Sequence, residues 1–313
     1  MTDRATSRPR ILLTGGSGLL ALNWACAVRD TWDVVLGTHR HRVALRGTSS
    51  CPLNLEEPRE LERQVVAISP DLVVHTAGLT NVDECEANPA LAREANATLS
   101  RNLAEVAAAR SIRLIHISTD HLFAGDRSCY REEDVVQPLN EYARSKLLAE
   151  EWVLQACPQA LILRTNFFGW GHARRQSFSD WIIYNLRSGK SLSLFDDVYF
   201  TPVLADYLAQ AAHELSERGA SGVFHLAGDE RTSKYQFALR LVDHFRLPAE
   251  LIQRATVKSA GLRARRPQDM SLDNSKARET LERSEKCLDE YLRGLRSQEM
   301  MGRRVELFHA VDS

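Results

Sequence analysis

The chain has 313 residues and a formal net charge of −1, with charged residues spread along its length; this argues against a nucleic-acid footprint or a basic membrane-binding patch. That length accommodates one large α/β domain or two closely packed ones, with a core that needs no disulfide or metal staple. No run of about 18 or more apolar residues is present, and the opening stretch MTDRATSRPR lacks an apolar segment, so neither a membrane span nor a signal peptide is expected. The six cysteines are scattered, with no CxxC pair; they read as reduced thiols of a cytoplasmic protein, and no metal site is expected.

Taken in chain order, RILLTG reads as a strand, Gly18 to Arg29 as a helix and DVVLGTH as a second strand. PRELERQVVAIS, from Pro58, is an amphipathic helix and DLVVHTAG a further strand. Ala90 to Arg110 is a long Ala-rich helix, IRLIHISTD a strand, EYARSKLLAEEWVLQA a helix and ALILRTN a strand. Such β-α-β alternation, with strands that are apolar throughout, predicts a parallel sheet covered on both faces. Beyond about Asn166 the pattern loosens. A Gly-, His- and Arg-rich loop (FFGWGHARRQS) precedes a helix near Ser179 to Ser188, then GVFHLAG reads as a strand and SKYQFALRLVDHF as a helix. Residues 1–165 are therefore expected to form a dinucleotide-binding domain. Residues 166–313 form a smaller α/β substrate lobe, partly interleaved with it and lying over the C-terminal edge of the sheet. The charged stretch after about residue 285 has no assigned task. The acids Glu132, Glu133 and Asp134 read as a solvated loop, and His75, His116 and His225 as core residues within strands.

Chemistry concentrates in two places. In LLTGGSGLLA, Gly15, Gly18 and Ala21 have the G-x-x-G-x-x-G/A spacing between a strand and a helix, which sets a helix N-terminus against a pyrophosphate. The second strand ends in GTHRHR, with Arg40 and Arg42 and no acid for a ribose 2′-hydroxyl; arginine there suits a 2′-phosphate, so NADPH is expected, with NADH left open. In EYARSK, Tyr142 and Lys146 stand four apart on one helix face. An adjacent ammonium would lower the phenol's pKa toward neutrality, as a proton donor at pH 7 is expected to need. Thr119, ending the preceding strand, could hydrogen-bond a substrate carbonyl oxygen.

These blocks, with VVHTAGLTNVDECE, HISTDHLFAG, PLNEYARSK, LRTNFFG, DDVYFTPVLADYLA and RRPQDMSLDNSKAR (Arg265 to Arg278), resemble the dTDP-4-dehydrorhamnose reductase family. This is a branch of the extended short-chain dehydrogenases/reductases that also includes the regulatory β subunit of methionine adenosyltransferase. The resemblance spans about Arg10 to Leu281 and implies a Rossmann-like doubly wound sheet with a smaller C-terminal lobe. It further implies catalytic roles for Thr119, Tyr142 and Lys146, the last two also touching the cofactor. Gly15, Gly18, Leu19 and Leu20 would hold the pyrophosphate, Asn54 and Leu55 would flank the adenine, and Ala77, Gly78 and Leu79 would line the nicotinamide side. Thr80, Val82, Asp120, His121 and Phe167 would face the sugar. The implied reaction is hydride transfer from NAD(P)H to C4 of a nucleotide-linked 4-keto-6-deoxyhexose, in a protein that can form a homodimer. The chain departs from the family pattern at Asn54, His121, Ala143, Asn166 and Phe167, and the His121 and Phe167 changes fall on the sugar side. Two alternatives stand beside the reductase: a non-catalytic NADP-binding regulatory subunit, and a nucleotide-sugar epimerase or dehydratase. His121, where dehydratases carry a glutamate, weighs against the dehydratase. HARR, His172 to Arg175, reads either as a clamp for the nucleotide's diphosphate or as a solvated loop.

Overall fold

The computed structural model describes residues 8–257, 263–284 and 286–312; most of the opening stretch read for a signal peptide, residues 1–7, lies outside them. The chain begins β1 (Arg10–Thr14), α1 (Leu19–Val28), β2 (Asp33–Thr38), β3 (Thr48–Pro52), α2 (Pro58–Ile68) and β4 (Leu72–His75). Two short helices, α3 (Val82–Ala87) and α4 (Pro89–Arg93), lead through a π-helical turn at Glu94–Thr98 into α5 (Leu99–Ala109). There follow β5 (Arg113–Ile117), α6 (Glu141–Ala156), β6 (Leu161–Arg164), β7 (Phe167–Phe168), α7 (Phe178–Arg187), β8 (Leu192–Phe195), β9 (Tyr199–Phe200), β10 (Val203–Leu204) and α8 (Ala205–Glu217). The chain ends β11 (Gly222–His225), β12 (Thr232–Ser233), α9 (Lys234–Phe245), β13 (Ile252–Ala255), α10 (Ser275–Leu281), α11 (Leu288–Met300) and α12 (Arg303–Phe308).

Seven strands pair in the order β3-β2-β1-β4-β5-β6-β11, every neighbour parallel. This is the α/β Rossmann-like architecture that the apolar runs predict. Alternate side chains of each strand enter opposite layers. Ile11, Leu13, Val34 and Leu36 pack with α1 and α8 on one face. Leu12, Val35, Val73 and Ile162 pack with Leu61, Leu103 and Val153 of α2, α5 and α6 on the other. The strand order reverses direction between β1 and β4, which opens the ligand crevice beyond their C-terminal ends.

Three features differ from the sequence-based expectation. The segment TSSCP, left unassigned in the chain-order reading, is β3: an edge strand needs no apolar pattern, and most of it is exposed. The Ala-rich helix is not continuous, because the π turn interrupts it. Glu132 is only partly solvated: its carboxylate accepts the His225 backbone N–H at 2.7 Å. The sheet, moreover, is not complete at residue 165, since α8 and β11 return to it from the second half of the chain. What lies over its edge is built from small two-stranded pairs, β7·β10, β8·β13 and β9·β12. The C-terminal helices tie the halves together. Trp170 Nε1 donates to the Leu295 carbonyl at 3.2 Å, Arg303 pairs with Asp206 at 3.1 Å, and Arg29 pairs with Glu306.

Candidate active site

At the turn after β1, Gly15 has φ +63°, a left-handed conformation that glycine adopts without strain. A Cβ there would lie 2.8 Å from the Ala77 backbone, so the β4 loop and the glycine turn can approach this closely only with glycine at position 15. Gly18 precedes α1, whose first turn has no side-chain cap and no acidic residue. Its free N–H groups and the positive end of the helix dipole thus face the crevice, a ready cradle for a phosphate anion. At the end of β2, Arg40 and Arg42 are exposed, and among the described residues neither side chain is paired with a carboxylate.

The loop after β4 is held from behind by Asn96, a fully buried residue of the π turn. Asn96 Oδ1 accepts the Leu79 N–H at 2.7 Å, while Nδ2 donates to the Leu79 carbonyl at 3.0 Å and to Ser145 Oγ at 2.9 Å. Ser145 in turn donates to the Tyr142 carbonyl at 2.8 Å. One side chain therefore fixes the 77–80 loop relative to α6. A Cβ on Gly78 would come within 2.7 Å of Asn96 Oδ1, so the loop is tailored to this contact. Sequence reading missed Asn96; the only available signal was an amide placed among apolar residues inside a strong helical pattern.

Asn140 caps α6, its side chain accepting the Ala143 N–H at 2.9 Å, and so sets the helix start that aims Tyr142 into the crevice. Thr119 and Tyr142 are both buried there. The phenol's pKa is pushed up to about 12, chiefly by burial, with the Thr119 hydroxyl pulling it down through a hydrogen bond and the Asp120 charge pushing it up. This corrects the expectation that Lys146 lowers it. The Lys146 ammonium is instead turned under the strand, donating to the Ile117 carbonyl at 2.7 Å and lying 3.4 Å from His116 Nε2. Burial draws its own pKa down to about 8, opposed by Glu150. Glu150 is itself engaged by Arg164 at 2.7 Å in a buried ion pair. His75 is satisfied between Thr14 and Ser100.

Beyond Thr119, Asp120 accepts the Asn166 amide at 2.6 Å. The His121 ring meets Tyr142 edge-on with centroids 5.6 Å apart. Burial pushes the His121 imidazole down to about 3, helped by the positive charges of Lys234 and Arg266, so it is neutral at pH 7. The HARR loop is only partly solvated: His172 is buried and Arg175 donates to Thr80 Oγ1.

One cavity of about 660 Å³ gathers Gly15, Gly18, Leu19, Leu20, Ala77, Gly78, Thr80, Val82, Thr119, Asp120, His121, Tyr142 and Phe167. It adds residues the sequence did not single out for the site, among them Ser17, His41, Ser118 and Gln176. Arg40, Arg42, Asn54, Leu55, Leu79 and Lys146 lie outside its lining. Of these, Asn54 folds its side chain into its own turn, accepting the Glu56 N–H at 3.0 Å.

Comparison with known proteins agrees with this fold. The chain is 32% identical over 290 residues to a probable low-salt glycan biosynthesis reductase, Agl14, of Haloferax volcanii, covering 90% of this chain and 96% of that one. It is 31% identical over 275 residues to the methionine adenosyltransferase 2 subunit beta of Xenopus laevis, covering 85% of this chain and 81% of that one. The crystal structure of dTDP-4-dehydrorhamnose reductase from Bacillus anthracis, solved in complex with NADP, superposes with a TM-score of 0.83 at 21% identity, covering 93% of this chain and 100% of that one. Residues 9–295 match the RmlD substrate binding domain, and the chain belongs to that family.

Proposed function

We propose that the protein is an NADPH-dependent reductase of the C4 ketone of a nucleotide-linked 4-keto-6-deoxyhexose. The observation that carries this reading is the placement of Thr119 and the protonated Tyr142 phenol in the same cavity as the glycine turn and the uncapped end of α1. The cradle fits a dinucleotide: the close approach at Gly15 and the acid-free first turn of α1 suit a pyrophosphate. Among the described residues no carboxylate pairs with Arg40 or Arg42, which favours the 2′-phosphorylated form, and the Bacillus anthracis neighbour holds NADP.

Bound NADPH supplies the hydride that reaches C4. The chain's part is to hold the ketone and deliver the proton. Thr119 and Tyr142 both donate to the ketone oxygen and stabilise the negative charge that grows on it, and Tyr142 gives its proton to that oxygen as the alcohol forms. Gly15, Gly18 and the N–H groups of Leu19 and Leu20 grip the pyrophosphate, while Ala77 and Gly78, backed by Asn96, wall the nicotinamide side. Lys146 acts from beneath, fixing the end of β5 from which Thr119 extends. Loss of NAD(P)H absorbance on addition of dTDP-, UDP-, GDP- or CDP-linked 4-keto sugars tests the reading. The relationship to the methionine adenosyltransferase β subunits supports a second reading, a cofactor-holding regulatory subunit. Tight co-purification with another polypeptide, and no consumption of any keto sugar, would favour it.

A further inference from the structure

Tyr142, Lys146 and Glu150 stand four apart on α6 and form one stripe along it. All three are buried, and the stripe faces the end of β5, where each member meets a different one of three consecutive residues. The Lys146 ammonium donates to the Ile117 carbonyl at 2.7 Å. Ser118 Oγ donates to Glu150 Oε1. The Thr119 hydroxyl is hydrogen-bonded to Tyr142. Arg164, at the end of β6, takes the rest of the Glu150 carboxylate: its Nε lies 3.0 Å from Oε1 and its Nη2 2.7 Å from Oε2. Both carboxylate oxygens are engaged, and one side chain joins α6, β5 and β6.

Stability alone does not account for this arrangement. A buried ion pair adds little net stability, because taking both charges out of water costs about as much as their attraction gains. Arg164 Nη1 is also buried without a partner, with its guanidinium over the Phe123 ring, a further cost. What the pair does supply is a fixed separation between helix and strand end, and a negative charge behind Lys146. Burial disfavours the Lys146 ammonium, and the Glu150 charge opposes this. The neighbouring rings of His116 and His75 are held neutral by burial and offer no counter-charge. We propose that Glu150 is a positioning residue: by gripping Ser118 it sets Thr119 against Tyr142, and it supplies the counter-charge that keeps Lys146 an ammonium at the Ile117 carbonyl. The part of the proposal that concerns turnover rests on the reductase reading above.

NMR of protein labelled with carbon-13 lysine follows the Lys146 titration, with Lys146→Arg identifying its signal. Glu150→Gln removes the charge and keeps an acceptor for Ser118. The Lys146 midpoint, near 8 in the wild type, should then move to lower pH by about one pH unit. That variant leaves Arg164 charged and buried without its counter-ion, which can unfold the chain. Glu150→Met combined with Arg164→Met removes both charges at similar volume, should fold, and should move the lysine midpoint in the same direction. Ser118→Ala keeps the charge and cuts the link to β5. Its lysine midpoint should stay in place, while kcat for keto-sugar reduction falls about tenfold and KM stays within about twofold, because the Thr119 bond strengthens as charge grows on the ketone oxygen. A Glu150 that only held the fold together would lower the thermal midpoint and move neither the lysine titration nor kcat. The proposal is overturned if the Lys146 midpoint is unmoved in both charge-removing proteins, or if Ser118→Ala reduces a keto sugar at the wild-type rate. Turnover of no keto sugar by the wild type would refute the reductase, and the lysine midpoint alone would then uphold or overturn the part assigned to Glu150.

Discussion

Replacing Asn96 by Ala removes a side chain that no sequence motif marked but on which the 77–80 loop depends. Three hydrogen bonds disappear, to the Leu79 N–H, the Leu79 carbonyl and Ser145 Oγ. At about 1 kcal/mol each, their net loss is about 3 kcal/mol. Two facts bound the figure. Leu79 is only half-buried, so its orphaned groups can recover water, and Ser145 keeps its bond to the Tyr142 carbonyl. The site of the lost amide is itself fully buried, so a small cavity adds to the cost. For a chain of this size about 3 kcal/mol lowers the thermal midpoint by roughly 4–5 °C. Freed from its brace, the 77–80 loop has conformations to lose on binding, so NADPH affinity should fall about tenfold. Asn96→Asp keeps the acceptor for Leu79 N–H but sets a carboxylate oxygen against the Leu79 carbonyl, and should be worse than Ala on both counts. Scanning calorimetry with and without NADPH, alongside direct titration of the cofactor, measures both effects. An Asn96→Ala protein with a wild-type midpoint and wild-type NADPH affinity would show that the loop is held by other contacts.

Tyr142→Phe should keep the thermal midpoint and cofactor affinity and lose turnover by about 10²-fold or more, the typical worth of a placed acid; unchanged turnover would mean that another group gives the proton. Replacing Arg40 and Arg42 together by Ala should weaken NADPH by roughly 1–3 kcal/mol and NADH much less, and equal loss for both cofactors would remove the 2′-phosphate argument. The protein should also be acid-labile. Burial holds His75 and His225 at about 3 and His116 well below its ordinary value, so all three are neutral in the fold, whereas the unfolded chain protonates them near 6.5. The stability they contribute is complete above pH 6.5 and is lost as pH falls toward 3. Each loses about 1.4 kcal/mol by pH 5.5, or about 4 kcal/mol together. The raised carboxyl of Asp120 offsets part of this, because it gains a proton in the folded state first. Urea midpoints that do not change between pH 7.5 and 5.5 would contradict the neutral-core assignment.

The sequence revealed elements whose burial is uniform and hid those set by distant partners. The strands β1, β2, β4, β5 and β6 are apolar because both faces are covered, and that pattern is local. β3 is polar and exposed, and it is a strand only because β2 offers it an edge. The glycine turn was legible because backbone geometry at Gly15 and the uncapped start of α1 follow from a few neighbouring residues. The π turn was not, since Glu94–Thr98 is as good an α-helix sequence as its surroundings and its register is set by what Asn96 must reach. A second cavity of about 470 Å³, adjoining the first at Thr80, Val82, His121 and Phe178, was equally hidden. His121, Phe178, Trp181, Lys234 and Arg266 come from four separate parts of the chain, and only the packing of β9, α7 and α9 brings them to one wall. The C-terminal stretch that carried no motif has a structural task, closing over Trp170, Asp206 and Arg29.

The pairing of Tyr142 with Lys146 was a sequence signal for proton donation, and its physical content differs from the reading given to it. Spacing of four puts both residues on one face, but it does not decide where a long flexible chain ends, and here the ammonium is drawn to the Ile117 carbonyl. The phenol at about 12 is then fully protonated at neutral pH. For the reductive direction that is the useful state, since the donor is always loaded. It still gives up its proton downhill, because an alkoxide forming at C4 is a base comparable to hydroxide, whose conjugate acid has a pKa of about 15.7. A phenol lowered to neutrality is required of the opposite task, taking a proton from an alcohol at pH 7, where a pKa near 12 costs about 7 kcal/mol to ionise. The buried tyrosine is therefore already in the protonated state that ketone reduction uses, without altering the equilibrium between ketone and alcohol, which no catalyst changes. Lys146, held under β5, contributes by fixing the strand end that places Thr119.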